Sequence, residues 1–179
     1  MLKKIAFLAA LLLPFIAFAQ IPVVQITEPE PFRPGYRGYV EAGWGAGQLG
    51  GPTYLYRQWV SDCATTHGYQ ITPYWFVGGG ISWYRCYDDF ENFFPVYAAA
   101  RLTLDNLPVR PFAEGRVGLI AFNSEWTKNV QKPYLSGSLG IDLGPSRRAQ
   151  LGGRLTLFGT HDNSYSFNAT LYVAYVFGE

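Results

Sequence analysis

The chain has 179 residues, with 14 lysines and arginines against 13 aspartates and glutamates, for a formal charge of +1. That balance lacks the basic footprint of a nucleic-acid-binding protein, so we expect no nucleic-acid partner. Aromatic residues make up 17% of the chain and glycine occurs 20 times. Such a composition suits strands, tight corners and interfacial aromatic belts better than helices.

The first 19 residues have the pattern of a cleaved signal peptide. Lys3 and Lys4 give it a positive start, and an apolar run from Ile5 to Ile16 follows. Ala17-Phe18-Ala19 then has the small-x-small form of a cleavage site. The apolar stretch, broken by Pro14, is shorter than the roughly 20 residues of a membrane-spanning helix. We therefore predict a signal peptide over residues 1–19 and export of the remaining chain.

Residues 20–35 are rich in proline, which removes hydrogen-bond donors and favours extended, unpaired chain. We interpret this stretch as a periplasmic lead-in, with a single barrel domain over residues 36–179.

Apolar and polar residues alternate with period two along most of that domain, which is the pattern of half-buried strands. The clearest example is Ser166 to Phe177, where Phe167, Leu171 and Val173 share one apolar face. The second strand is the least clear, because Arg57 and Asp62 fall on opposite faces. We place a tight turn after it, at His67-Gly68-Tyr69. The predicted strands cover residues 36–47, 54–65, 73–83, 96–104, 113–119, 135–142, 150–157 and 166–177.

These strands predict an all-β fold, an eight-stranded antiparallel up-and-down transmembrane β-barrel. Single-chain outer-membrane barrels have an even number of strands, and an apolar face on every strand suits contact with lipid. Closure of the sheet also removes the exposed edges of a long aromatic sheet. The prediction places the chain in the cell outer membrane of a Gram-negative bacterium, with both mature ends in the periplasm.

Ionisable residues on the polar faces of the clean strands form a balanced set of three acids and three bases. An eight-stranded barrel has an interior just wide enough for side chains, and buried charges persist only when paired. We therefore predict a lumen plugged by ion pairs and tyrosines rather than a water-filled pore. The predicted lumen charges are Glu41, Arg101, Glu114, Arg116, Asp142 and Arg154.

Three stretches resemble the small outer-membrane β-barrel domain proteins, OmpA/OmpX-like and porin-like in architecture. Thr66 to Gly80 looks like the second turn and third strand of that group, Pro111 to Gly118 is similar to its fifth strand, and Leu135 to Asp142 to its sixth. The resemblance implies an outer-membrane location, a single closed barrel and no established catalytic residues.

Outer-membrane lipids and the barrel-assembly machinery are the partners that this reading implies, for a chain we expect to be a monomer. Such barrels often end on an aromatic residue that the assembly machinery reads. Here Gly178 and Glu179 follow Phe177, which departs from that pattern.

The two cysteines, Cys63 and Cys86, could pair in an exported protein. With the turn at residues 67–69, however, they would lie roughly 40 Å apart along the sheet, at about 3.3 Å per residue. We predict that they form no disulfide, because a bridge needs α-carbons within about 7 Å.

Two short motifs suggest other chemistry, and neither supports the leading prediction. Gly45 to Gly50 matches G-x-G-x-x-G, but a strand-like aromatic stretch follows it instead of the helix that a dinucleotide site needs. His161, Asp162 and Ser164 could suggest a lipid hydrolase, yet they stand in one short loop and are ordinary turn residues. Two scattered histidines and two cysteines make no zinc site, so we predict no cofactor and no metal.

The leading hypothesis is a non-enzymatic outer-membrane barrel with a structural or surface-interaction role. One alternative is a lipid-modifying barrel enzyme, for which His161 is the residue to mutate. The other is a soluble, exported, lipocalin-like barrel that binds a hydrophobic ligand, with its charges on a wet surface.

Overall fold

The structure is a computed structural model. The unit described here begins at Phe32. The predicted signal peptide and residues 20–31 of the proline-rich lead-in therefore lie outside the described residues. The described residues are 32–50, 55–88, 91–104, 109–123, 131–143, 148–160 and 165–178.

Eight antiparallel strands form one closed barrel in which each strand pairs with its neighbours in sequence, and β1 also pairs with β8. The predicted fold class is confirmed. A β-bulge interrupts the β4–β5 register between Phe94 and Pro95. Both ends of the barrel chain lie at one end of the barrel, the terminal end, and the connections after β1, β3, β5 and β7 lie at the other, the loop end. The strands are β1 Gly35–Gly50, β2 Leu55–Gln70, β3 Trp75–Cys86, β4 Asn92–Thr103, β5 Arg110–Asn123, β6 Lys132–Leu143, β7 Ala149–Gly159 and β8 Tyr165–Gly178.

The strands face their apolar side chains outward and their polar side chains inward. Leu171 is 73% exposed and Leu139 is 70% exposed on the outer wall, whereas Asn168 and Thr170 of β8 are buried inside. A soluble barrel has the opposite arrangement, because burial of apolar surface drives its folding. Among the described residues no helix has the length and apolar character to span a bilayer.

The second turn lies elsewhere than the sequence predicts. His67, Gly68 and Tyr69 are part of β2, and the chain reverses instead between Gln70 and Trp75. There the Thr72 hydroxyl accepts hydrogen bonds from the backbone N–H groups of Tyr74 and Trp75, at 3.2 and 3.0 Å. This local side-chain capping is typical turn chemistry, and it lengthens β2 by five residues beyond the predicted end at Thr65.

Cys63 and Cys86 form no disulfide. The prediction is confirmed, but the 40 Å separation behind it is wrong. Cys86 pairs with Val60, only three register positions from the pairing of Cys63 with Trp83. The two thiols stay apart because Cys63 faces outward and Cys86 faces the lumen.

Aromatic side chains fill the interior on both sides of a polar middle. The large buried cluster lies towards the loop end, and two smaller clusters lie towards the terminal end. The loop-end cluster contains Val60, Tyr84, Cys86, Phe93, Tyr97, Ala99, Ile120, Tyr134 and Phe158. The smaller clusters contain Tyr39, Phe76 and Val176, and Phe112, Tyr172 and Ala174.

Candidate functional site in the barrel interior

All six charged residues predicted for the lumen are buried inside the barrel. They come from β1, β4, β5, β6 and β7, so closure of the sheet is what brings them together. Glu41 and Arg101 are each 1% exposed, and the largest exposed fraction in the set is 7%, at Asp142. Five of the six form one directly connected network, and Asp142 joins it through a glutamine.

Glu41 on β1 is the centre of the network. Arg116 Nη2 donates to both of its carboxylate oxygens, at 2.6 and 2.7 Å. Arg154 Nη2 also donates to Oε2, and Arg101 Nη2 lies 3.5 Å from Oε1. One carboxylate therefore neutralises three guanidinium groups in part, from three different strands.

Glu114 is the second acid of the network. Arg101 donates to its Oε2 through Nε, at 2.7 Å, with Nη2 at 2.5 Å from the same oxygen. Arg116 donates through Nε to the other oxygen, Oε1. Two arginines thus bridge Glu114 to Glu41, and charge-assisted contacts of this kind are the strong hydrogen bonds of protein interiors.

Asp62 is the network member that the sequence analysis missed. Its Oδ2 accepts a hydrogen bond from Arg154 Nη1 at 2.6 Å, and the residue is 1% exposed. Because β2 carries polar residues on both faces, alternation alone did not show which of them point inward. Asp62 lies four residues from both Gln58 and Thr66 and therefore shares their face of the strand. These two residues are also buried, so this shared face could have identified Asp62 as a lumen residue.

Asp142 has a different environment from the other acids. Gln150 Nε2 donates to Asp142 Oδ1 at 2.6 Å, while Gln150 Oε1 accepts from Arg101 Nη1 at 2.7 Å. Arg110 stands opposite Asp142 in the β5–β6 register. The predicted match of three acids to three bases is therefore incomplete, since Asp62 is a fourth buried acid and Arg110 a further base beside the set.

Aromatic rings cover the faces of the three buried guanidinium groups. The Arg101 Cζ atom lies 3.9 Å from the ring centre of Tyr39 and 4.3 Å from that of Phe112. Arg116 lies over Tyr97 at 4.7 Å, and Arg154 over Tyr172 at 4.4 Å. Carboxylates thus contact the edges of these groups and rings contact their faces, which offsets part of the cost of burying a planar cation away from water.

Glycines provide the space that this network needs. A Cβ added at Gly43 would lie 3.0 Å from Asp62 Cγ and 3.2 Å from Tyr172 Cβ. A Cβ added at Gly152 would lie 2.6 Å from the Tyr172 ring. Inward-facing glycines therefore set the positions of Asp62 and Tyr172, which reach Arg154 from two sides.

The chemistry of this interior is that of a filled core. Arginine stays protonated in proteins, so the three guanidinium groups cannot act as general bases. In the part of the chain that the structure describes, no three His, Cys, Asp or Glu side chains are grouped to hold a metal ion. Gly45 to Gly50 lies within β1, in extended backbone without the helix that a dinucleotide site requires. His161, Asp162 and Ser164 lie outside the described residues.

No family model matches the sequence, and no curated protein matches it. Solved structures of similar fold include Neisserial surface protein A, at 14% identity and TM-score 0.53, covering 77% of this chain and 96% of that one. The outer membrane enzyme PagL is 12% identical with TM-score 0.56, covering 76% and 98%. Ail of Yersinia pestis is 13% identical with TM-score 0.48, covering 79% and 98%.

At these identities the likeness concerns the fold alone. The first two structures, each matched over more than nine-tenths of its length, show that this chain has the fold of the small eight-stranded outer-membrane barrels. The resemblance predicted from sequence is confirmed at that level. The two also differ in role, since one is described as a surface protein and the other as an enzyme.

Proposed function

We propose that this chain is an outer-membrane barrel with a closed interior, and that its role is structural or one of surface interaction rather than transport or catalysis. The observation that carries the proposal is the network around Glu41, in which carboxylates, guanidinium groups and aromatic rings fill the middle of the lumen. Side chains fill the width of an eight-stranded barrel, whereas barrels of 16 to 18 strands leave a water channel.

The outer wall supports the membrane location. Apolar side chains stay exposed on all eight strands, and aromatic residues stand near both ends of the band. On β8, Tyr165 and Tyr175 bracket the exposed Leu171 and Val173. Ten residues at a tilt of about 40° span roughly 25 Å, the height of the apolar band of outer-membrane barrels. A soluble lipocalin-like barrel would have to leave this band in water, which is unfavourable.

Two measurements test the proposal. Fractionation of inner membrane, outer membrane and periplasm is expected to recover the protein with the outer membrane, and its recovery in the periplasm would refute the location. Single-channel recording in planar bilayers is expected to give no large stable conductance steps. A 16-stranded porin reconstituted in parallel serves as the positive control, and porin-like steps from this barrel would refute the closed lumen.

A lipid-modifying enzyme is the alternative that the sequence left open. Its candidate residues His161, Asp162 and Ser164 lie outside the described residues, and the likeness to PagL concerns fold alone. A membrane lipid profile of cells expressing His161→Ala separates the two proposals. Equal profiles in the absence of the protein, with the wild type and with the variant are the outcome expected of the non-enzymatic protein.

A further inference from the structure

The outer face of β2 differs from the outer faces of the other seven strands. Four consecutive outward positions near its middle and terminal end carry polar or small side chains, where the other described strands present mainly apolar ones. These four residues are Ser61, Cys63, Thr65 and His67. A polar surface that faces hydrocarbon is unfavourable unless its groups find hydrogen-bond partners.

His67 is the centre of a three-residue chain of hydrogen bonds. Its Nδ1 lies 2.6 Å from the hydroxyl of Tyr36, and its Nε2 lies 2.8 Å from the hydroxyl of Thr65. The Tyr36 ring stacks on the imidazole at 6.1 Å between centroids, and Phe177 meets its edge at 5.6 Å. The ring is thus held in a fixed orientation while His67 remains exposed.

The side chains of Tyr36, His67 and Thr65 together have one polar hydrogen more than the two hydrogen bonds between them use. Tyr36, Thr65 and a neutral imidazole each supply one polar hydrogen, and the two bonds consume two of the three. Whichever tautomer is present, one hydroxyl hydrogen remains to donate outward. That hydrogen is available to an acceptor from outside the barrel.

The depth of the cluster indicates which acceptor is available. Tyr69 is an exposed aromatic residue near the terminal end of β2, and His67 is the next outward-facing residue along the strand. At the usual strand tilt His67 lies roughly 5 Å nearer the hydrocarbon than Tyr69 does. At that level lie the ester oxygens of a phospholipid, with the phosphate oxygens just above them. They are acceptors only, which complements a cluster with a spare donor.

A row of small outward residues leads away from His67. Gly79 is its register partner on β3, and Ala98 on β4 pairs with Gly79. From Ala98, near mid-height, a shallow apolar groove of about 440 Å³ continues on the outer face towards the loop end, past Val96 and Leu119 to Gln131. An acyl chain from the terminal-end leaflet therefore runs along Gly79 and reaches the groove only at Ala98. The polar cluster and the row of Gly79 and Ala98 match the polar and apolar parts of one lipid molecule.

We propose that this outer face binds a glycerophospholipid of the leaflet at the terminal end, through hydrogen bonds from the Tyr36–His67–Thr65 cluster and an acyl chain along Gly79 and Ala98. The proposal rests on the membrane location proposed above. It assigns the polar stripe on β2 to lipid recognition.

Native mass spectrometry of the detergent-solubilised barrel, titrated with dipalmitoyl phosphatidylglycerol, tests the site. The wild type is expected to retain one lipid. The combined variant Tyr36→Phe, Thr65→Val and His67→Leu removes every donor of the cluster and is expected to weaken binding about fivefold, the effect of one hydrogen bond of about 1 kcal/mol. Tyr175→Phe removes a belt hydroxyl that has no histidine partner and is expected to leave binding unchanged. Ala98→Leu obstructs the acyl path beside Gly79 and is expected to weaken binding, whereas Ala169→Leu on β8 is not.

Equal lipid retention by the wild type and the combined variant would overturn the site, as would an equal loss in Tyr175→Phe. Heat-modifiable gel migration of every variant confirms that the barrel is folded before lipid is added. A protein recovered from the periplasm would remove the membrane location itself, whereas a barrel that sits in the outer membrane but binds lipid indifferently would remove only the site.

Discussion

Arg116 on β5 donates from one nitrogen, Nη2, to both carboxylate oxygens of Glu41 on β1, across the full width of the barrel. The two strands are four places apart in either direction around the sheet, so this contact spans the lumen. Removal of one partner of a buried ion pair leaves the other without compensation, which typically costs 3–5 kcal/mol. This relation makes Glu41 the residue whose loss is expected to be most damaging.

We predict that Glu41→Gln lowers the free energy of unfolding by about 3–5 kcal/mol, because three arginines lose their shared carboxylate. Urea unfolding of the barrel in lipid vesicles measures the change. Asp88→Asn is the matched control, since it removes a carboxylate that is exposed, and a change within about 0.5 kcal/mol is expected there. Equal effects of the two substitutions would show that the network contributes no stability.

A double-mutant cycle on Asp62 and Arg154 is expected to show strong coupling. The 2.6 Å contact of the two groups predicts an interaction energy of about 0.5–3 kcal/mol between Asp62→Asn and Arg154→Gln. The same cycle with Asp62→Asn and the outward Leu139→Ala is expected to be additive within about 0.5 kcal/mol. Additivity in the first cycle would contradict the position of Asp62 in the network.

Gly43→Val is expected to prevent folding or to lower stability by about 1–3 kcal/mol, because the new side chain would overlap Asp62 and Tyr172. Gly115→Val is its control on the outer wall, where an added Cβ meets nothing within 4 Å. That variant is expected to be neutral or slightly stabilising, since valine suits a strand better than glycine. The folded fraction after refolding into vesicles, read from heat-modifiable migration, separates the two outcomes.

Leu171→Arg tests whether the outer wall faces hydrocarbon. An arginine at the middle of a lipid-facing band costs about 2–4 kcal/mol, and near the interface about 0–1 kcal/mol. Tyr165→Arg, at the loop end of the same strand, is therefore expected to have the smaller effect. Equal stability of both variants in vesicle unfolding would contradict a bilayer around this wall.

The sequence was most informative where one face of a strand is uniformly apolar. Phe167, Leu171 and Val173 face outward, as the alternation of β8 predicts. The same alternation on β1 and β7 predicts that Glu41 and Arg154 face inward. The inward face of β2 was harder to predict, because several of its outward residues are polar and so resemble its lumen-facing residues.

The error at Gly68 has a packing cause. Glycine between His67 and Tyr69 has the composition of a turn, but here it makes room inside the barrel, since an added Cβ would lie 2.7 Å from the Phe76 ring. Composition does not separate a glycine needed for a turn from one needed for space. The pairing of Gln150 with Asp142 was equally out of reach, because it depends on the register between β6 and β7.

The contact of Arg154 with Glu41 joins residues 113 positions apart in the chain. During biogenesis the arginines of β4, β5 and β7 therefore meet Glu41 only when the last strands dock against the first. Until then each incomplete sheet exposes bare guanidinium and carboxylate groups, which favour water over the hydrocarbon interior. The interior charges therefore disfavour insertion of an incomplete sheet into the bilayer. They favour a single concerted step in which the barrel closes and enters the bilayer.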